Sequence, residues 1–173
     1  MKYNEDKVGK RYEENLEKSR QLLASLPIAE GRKPDFNGLK GWVYEQTIRS
    51  CLCQELMAQG LSISNDIIKE QVPLYGRVKV DLLVGNVAIE IKVSGIYREN
   101  SKGSEKFAYD RAKVEKKGWV YYYLTGRETD KRKRLSAKSI FGESRAFFLD
   151  TEGDWERFVK EVKKVYNYPF QKL

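Results

Sequence analysis

The spacing of apolar residues changes period along the chain. Lys7 to Leu26 carries Val8, Tyr12, Leu16 and Leu23 at helical spacing on a charged background and ends at Pro27, which predicts a helix. Ile28 to Phe36 contains Gly31 and Pro34 and reads as a connection, after which Asn37 can cap a second helix that runs to Gly60. Strand signals follow. Ile67 to Tyr75 predicts a strand at a sheet edge, because Pro73 interrupts it. Arg77 to Val84 and Val87 to Val93 are the clearest strands, joined by Gly85-Asn86, a two-residue hairpin signal. Ser104 to Lys117 predicts a helix ended by Gly118, Trp119 to Thr125 and Arg145 to Leu149 predict strands, and Asp154 to Tyr166 a last helix. The order α, α, β, β, β, α, β, β, α belongs to the α/β class. No repeat, low-complexity tract or Gly/Ser-rich linker divides the chain, so residues 1–173 read as one domain. Within it, 1–36 form an N-terminal helix and connection, 37–125 the core, and 126–173 a C-terminal extension with a strand and a helix.

A turn at Gly85-Asn86 fixes the register of the hairpin: Val84 faces Val87, Leu83 Ala88, Leu82 Ile89, and Asp81 Glu90. Strand alternation then puts Val78, Val80, Leu82, Val84, Val87, Ile89, Ile91 and Val93 on one face. Lys79, Asp81, Leu83, Ala88, Glu90 and Lys92 share the other. Opposed carboxylates with Cβ atoms about 5 Å apart repel and destabilise a strand pair. A hard divalent cation held by their oxygens offsets that repulsion, and Lys92 stands beside them on the same face. A solvated polar face with Lys79 and Lys92 as edge charges is the alternative, against which Leu83 and Ala88 indicate a covered face. On the second helix, at about 100° per residue, Glu45 falls inside the apolar arc, between Ile48, Leu52 and Leu56 on one side and Trp42 on the other. A glutamate there needs a partner: either a metal near the hairpin or an ion pair with Arg49 one turn on.

Composition narrows the chemistry. The chain has no histidine, which excludes Ser-His-Asp hydrolysis, His-dependent nuclease sites and His-ligated zinc. Its two cysteines, Cys51 and Cys53, are too few for a Cys-rich zinc or iron–sulfur site and point apart on a helix, so they are read as reduced and the protein as intracellular and cytoplasmic. No signal-peptide h-region or membrane-length apolar run is present, so no membrane partner is expected. A net charge of +8 and a pI near 9.3 favour an acidic polymer. Hydrolysis by this chain must therefore use carboxylates, lysine and a hard metal.

An inward glutamate on a helix, an aspartate on one strand and Glu-x-Lys on the next, here Glu45, Asp81 and Glu90-Ile91-Lys92, resembles the PD-(D/E)xK restriction-endonuclease-like superfamily. Gly41-Trp42-Val43-Tyr44-Glu45 followed by the hairpin is most similar to the archaeal Holliday-junction resolvase branch. Val80 stands where the family usually has proline before its aspartate. Glu-x-Lys also occurs at Glu5, Glu115 and Glu161, but only Glu90 lies in a strand opposite an aspartate; Pro34-Asp35 spells the literal motif in a connection far from the hairpin. Gly95-Ile96-Tyr97 resembles the opening of another nuclease motif, whose Tyr-Ile-Gly partner the chain lacks.

The resemblance implies an αβββαβ core over Asn37 to Thr125, with a central mixed sheet flanked by helices. It implies Mg²⁺, for which Mn²⁺ can substitute, bound by Asp81, Glu90 and the backbone carbonyl of Ile91, with Glu45 binding directly or through water. Lys92 would orient or help deprotonate the attacking water, and the products would carry 5′-phosphate and 3′-hydroxyl ends. DNA is the expected partner, with the protein as a homodimer. Arg98, Lys102, Lys106, Arg111 and Lys113 after the hairpin and Lys131-Arg132-Lys133-Arg134 are the candidate DNA contacts, the last run reading equally as a solvated loop. Tyr121-Tyr122-Tyr123 is read as core and sheet surface rather than a base-stacking platform. A catalytically silent DNA-binding module and a structural assembly subunit are the alternatives.

Overall fold

The computed structural model describes residues 3–25, 36–61, 67–94 and 102–166. Helices α1 (Tyr3–Ser25) and α2 (Phe36–Ala58) precede strands β1 (Ile68–Tyr75), β2 (Val78–Val84) and β3 (Val87–Ser94). Helix α3 (Lys102–Lys116), β4 (Val120–Arg127), α4 (Lys131–Phe141), β5 (Ala146–Phe148) and α5 (Asp154–Tyr166) follow. The five strands form one open mixed sheet in the order β1-β2-β3-β4-β5. β1, β2 and β3 are antiparallel neighbours, whereas β4 runs parallel to β3 and β5 parallel to β4. From α2 to β4 the element order is αβββαβ, as the periodicity predicts. Among the described residues no helix is long and apolar enough to cross a membrane. The connection expected over Ile28 to Phe36 lies, but for Phe36, outside the described residues, as do Pro34-Asp35, Gly95-Ile96-Tyr97 and Arg98.

Both faces of the sheet are covered. Leu82, Val84, Val87, Ile89, Ile91, Tyr122, Leu124 and Phe147 pack under α1, α2 and α5, whose Tyr12, Ile48, Leu52, Leu56, Trp155 and Phe158 complete that core. On the other face, Leu83, Ala88, Tyr121, Tyr123, Ala146 and Phe148 pack against Phe107 and Val114 of α3 and Ala137 and Phe141 of α4. All three consecutive tyrosines, Tyr121 to Tyr123, are therefore buried in alternating cores, as expected of a strand with two covered faces.

Two features differ from the sequence expectation. Residues 131–141, for which the sequence predicts no element and whose first four read as DNA contacts or a solvated loop, form α4. Asp130 caps it by accepting the Arg132 N–H at 2.9 Å, and Gly142 ends it at φ 101°, its N–H donating to the Lys138 carbonyl at 2.8 Å. The run of four basic residues hides the spacing of Ala137, Ile140 and Phe141, which pack on the second core. The second difference is in β2. Val78 and Val80 do not share a face with Leu82 and Val84: they pack in the second core, with Leu83 and Ala88. The neighbouring β1 does the same, with Ile68 in the first core and Val72 in the second, although the two are four positions apart and regular alternation would put them on one face. Both strands roll over where Gln71 lies opposite Asp81. Gln71 has φ 49°, a left-handed conformation rare for a side-chain-bearing residue, and the strand ladder skips this pair between Glu70–Leu82 and Val72–Val80. Strict alternation does not survive a residue with positive φ.

The position of α4 has a measurable consequence. Phe141 is fully buried, its ring centroid 4.9 Å from Tyr121, 5.1 Å from Tyr123 and 5.9 Å from Phe107. Phe141→Ala should lower the unfolding free energy in a urea titration by about 3–5 kcal/mol, whereas Leu135→Ala, on the solvent side of the same helix, should change it by less than about 0.5 kcal/mol. Equal small losses would place residues 131–141 off the sheet.

Candidate active site

The hairpin register is the one set by the turn. Gly85 takes φ 58°, and Leu82–Ile89, Leu83–Ala88 and Val84–Val87 are paired. The backbone ladder stops there. At the next position the Asp81 side chain takes over, its Oδ2 accepting the Ile91 N–H at 2.7 Å. This bond turns the carboxylate toward β3 at the point where β2 rolls over.

Three charged side chains meet at this junction. Lys92 Nζ lies 2.5 Å from Glu90 Oε1 and 3.7 Å from Asp81 Oδ2. Glu90 also accepts a hydrogen bond from the Tyr121 hydroxyl, 3.1 Å from its Oε2. The side chains of Glu90, Asp81 and Lys92 are 8%, 13% and 35% exposed, so the lysine is the most accessible of the three. The solvated polar face considered from sequence is thereby replaced by a covered one, under α3 and α4.

Glu45 is half-buried on α2, and its Oε2 accepts a hydrogen bond from Gln71 Nε2 at 3.0 Å. Its alternative partner, Arg49, is engaged elsewhere: Arg49 Nε lies 2.5 Å from Glu70 Oε1, and Gln46 Nε2 donates to Glu70 Oε2 at 2.7 Å. Trp42 is 57% exposed and does not continue the apolar arc beside Glu45. The rolled-over strand β1 thus binds α2 through Glu70 and Gln71.

Burial raises the proton affinity of all three carboxylates. For Asp81, burial dominates and Glu45 adds to it, against lowering by Lys92 and the Ile91 N–H. Glu90 is raised by burial and then by Asp81. Glu45 is raised by burial, with Lys92 and Gln71 opposing. Burial alone would lower the pKa of Lys92, but Glu90, Asp81 and Glu45 outweigh it and keep the ammonium charged. Tyr121 is pushed up by burial and by Glu90, so its hydroxyl keeps its proton and serves as a donor.

Among the described residues no group of three Asp, Glu, His or Cys side chains forms a ready-made metal cluster. The donor set that fits a cation is smaller: Asp81 and Glu90 with the adjoining Ile91 backbone. Mg²⁺ commonly takes one or two carboxylates and keeps several waters, so Glu45 suits an outer place. Three carboxylates around one ammonium leave an excess of negative charge when all are ionised, and all three oxygen donors are hard.

The candidate DNA contacts are scattered. Lys106 pairs with Asp110 at 3.4 Å and lies near enough to Glu90 to affect its charge. Arg111 is tied within the protein, Nε to Glu115 at 2.8 Å and Nη1 to the Ile140 carbonyl at 2.5 Å, and so joins α3 to α4. Lys113 lies over the rings of Tyr75 and Tyr109. Arg98 and the side chain of Lys102 lie outside the described residues. Lys131, Arg132 and Lys133 form the first turn of α4, while Arg134 bonds inward. Sequence reading missed Tyr121 and Gln71. Tyr121 could have been found as the strand residue of β4 alternating onto the face of Glu90; nothing in the sequence announces the positive φ of Gln71.

Because the folded state raises the pKa of Asp81 and Glu90 above their values in the unfolded chain, it binds more protons there, and these groups lose stability as pH rises from the ordinary carboxylate range through the folded values. Without divalent metal, Asp81→Asn should lose less stability than wild type between mildly acidic and neutral pH. At neutral pH its melting temperature should equal or exceed that of wild type, since asparagine can still accept the Ile91 N–H. Parallel pH profiles in thermal melts would mean that Asp81 is not in the repulsive environment described. Comparison of the chain with protein-family models, curated proteins and solved structures gives no match.

Proposed function

We propose that the protein is a metal-dependent DNA endonuclease of the PD-(D/E)xK kind, hydrolysing phosphodiester bonds to 5′-phosphate and 3′-hydroxyl ends in repair, recombination or restriction. The observation that carries this reading is the convergence of Asp81, Glu90 and Lys92 at the end of a covered hairpin, with Lys92 Nζ within 4 Å of both carboxylates. A structural ion pair would need one acid. Here two buried acids and a third on α2 surround one lysine, an arrangement suited to a hard divalent cation and an anionic substrate.

Asp81, Glu90 and the Ile91 carbonyl would hold Mg²⁺ or Mn²⁺, with Glu45 reached through water. The bound metal lowers the pKa of a coordinated water and stabilises charge on the scissile phosphate. Lys92, kept cationic by its neighbours, orients the attacking water and offsets the charge that grows on the phosphate oxygens. Tyr121 fixes one oxygen of Glu90, while the other faces Lys92 and would be the one to hold the metal. The Ile91 N–H holds Asp81 in its turn toward β3. The absence of histidine leaves no competing general base of that type on the chain.

Asp81→Asn and Glu90→Gln should abolish Mg²⁺-dependent cleavage across a panel of duplex, nicked, flap, single-stranded and four-way-junction DNA, and Lys92→Ala should lower it by roughly a hundredfold or more, while folding and DNA binding persist. Near wild-type cleavage by either carboxylate variant would remove the assignment, and DNA binding with no cleavage by the wild type would favour the silent module. A second measurement does not require the right substrate. Metal that binds only the folded state adds about 2.7 kcal/mol at a hundred times Kd, so millimolar Mg²⁺ or Ca²⁺ should raise the wild-type melting temperature and leave Asp81→Asn nearly unmoved. Equal shifts in the two proteins would place the metal elsewhere.

A further inference from the structure

Helix α4 gathers cations on one side. Lys131, Arg134, Leu135 and Lys138 follow the i, i+3, i+4, i+7 spacing of a single helix face, and that face walls an open cavity of about 330 Å³. Phe148, Thr151, Asp154 and Arg157 line the opposite side, so the cavity wall carries four cations and one carboxylate. Two of the cations are fixed in place. Arg134 donates to the Glu128 carbonyl at 2.5 Å, to Thr151 Oγ1 at 2.7 Å and to Asp150 Oδ1 at 2.6 Å, with its guanidinium 4.8 Å from the Phe148 ring. Arg157 donates to Asp154 Oδ1 at 3.0 Å and the Ala146 carbonyl at 2.9 Å, 4.3 Å from the Phe147 ring. Asp150 and Asp154 match these two charges.

The lysines are held more weakly. Lys131 is exposed and has no ion-pair partner among the described residues, and Lys138 meets Glu143, itself 74% exposed, at 2.9 Å. Such a surface pair contributes little. Lys131 to Arg134 also place four cations in the first turn of a helix, where the backbone already carries about half a positive charge. Asp130 at the cap is the acid nearest in sequence. An anion seated in the cavity would offset this repulsion.

The cavity is aligned with the candidate active site. The parallel register pairs Lys92 with Thr125 and Thr125 with Phe148, so Lys92 and the cavity wall lie in one row across three strands. Residues in one row share a face, and Phe148 packs on the same face as α3 and α4. Two strand spacings, about 10 Å, separate β3 from β5, and DNA rises about 3.4 Å per nucleotide along each strand. The geometry points to a phosphate seat: the α4–β5 cavity holds a backbone phosphate of the DNA strand that is cut, within a few nucleotides of the scissile bond. This assignment rests on the nuclease reading above. Leu135, 65% exposed between the cations, offers an apolar contact for the adjoining sugar.

The test compares wild type with Lys131→Ala/Lys138→Ala, which leaves both fixed arginines in place. Binding of a duplex oligonucleotide is measured in EDTA, so that no cleavage intervenes, over a series of salt concentrations. The slope of log Kd against log[salt] should fall by about 1 to 2 in the variant, the loss of one or two neutralised phosphates. A scan with single neutral methylphosphonate linkages should find one position, within a few nucleotides of the cut, where wild type loses affinity and the variant does not. An unchanged slope together with an unchanged scan overturns the phosphate seat, even if cleavage is intact. A reduced slope in a protein that cuts no DNA retains phosphate binding in the cavity and removes the nuclease reading, and with it the seat's place relative to a cut. Stronger competition by polyglutamate than by an oligonucleotide of equal charge also overturns it, in favour of an acidic protein partner.

Discussion

A buried glutamate, a largely buried aspartate and a half-buried lysine meet at the end of a hairpin whose sheet is covered on both sides, and the surrounding structure is arranged around that constraint. Charges placed there lose most of their hydration, and the interior compensates only through close partners. Each has one. Lys92 lies between the two acids, Tyr121 donates to Glu90, and the Ile91 N–H donates to Asp81. The tyrosine comes from β4 and the amide from β3, so the site exists only when the parallel and antiparallel parts of the sheet are both in place. Helices α3 and α4 make the burial possible, and Arg111 ties them to each other.

Much of this was readable from the chain. Gly85-Asn86 set the register of β2 and β3, and with it the neighbourhood of Asp81 and Glu90, because a two-residue turn leaves no freedom to slip. The apolar character of Leu83 and Ala88 announced a covered face before any helix was seen on it. Element order followed from the change of hydrophobic period, except at α4, where four consecutive basic residues masked a helix that Asp130 and Gly142 delimit.

The rest depended on tertiary geometry. Alternation is a local rule, and it failed at Gln71 and Asp81 because one left-handed residue rotates a strand and its neighbour together. The partner of Glu45 could not be chosen by spacing on α2, since Gln71 arrives from a strand that only the fold brings near. Arg134 and Arg111, candidate DNA contacts from the sequence, are hydrogen-bonded crosslinks within the protein. A cation's position in a basic run says nothing of whether an internal acceptor will claim it.

The kink at Gln71 also bears on how these molecules can meet one another. An edge strand with a straight row of unpaired amides and carbonyls invites a strand from another chain, and proteins commonly interrupt such edges. β1 is an edge of this sheet, and it carries both the left-handed Gln71 and Pro73, which has no amide hydrogen to give. The opposite edge, β5, is three residues long. Among the described residues neither margin offers a long regular run to a foreign strand, which steers association between copies of this chain toward helices and side chains.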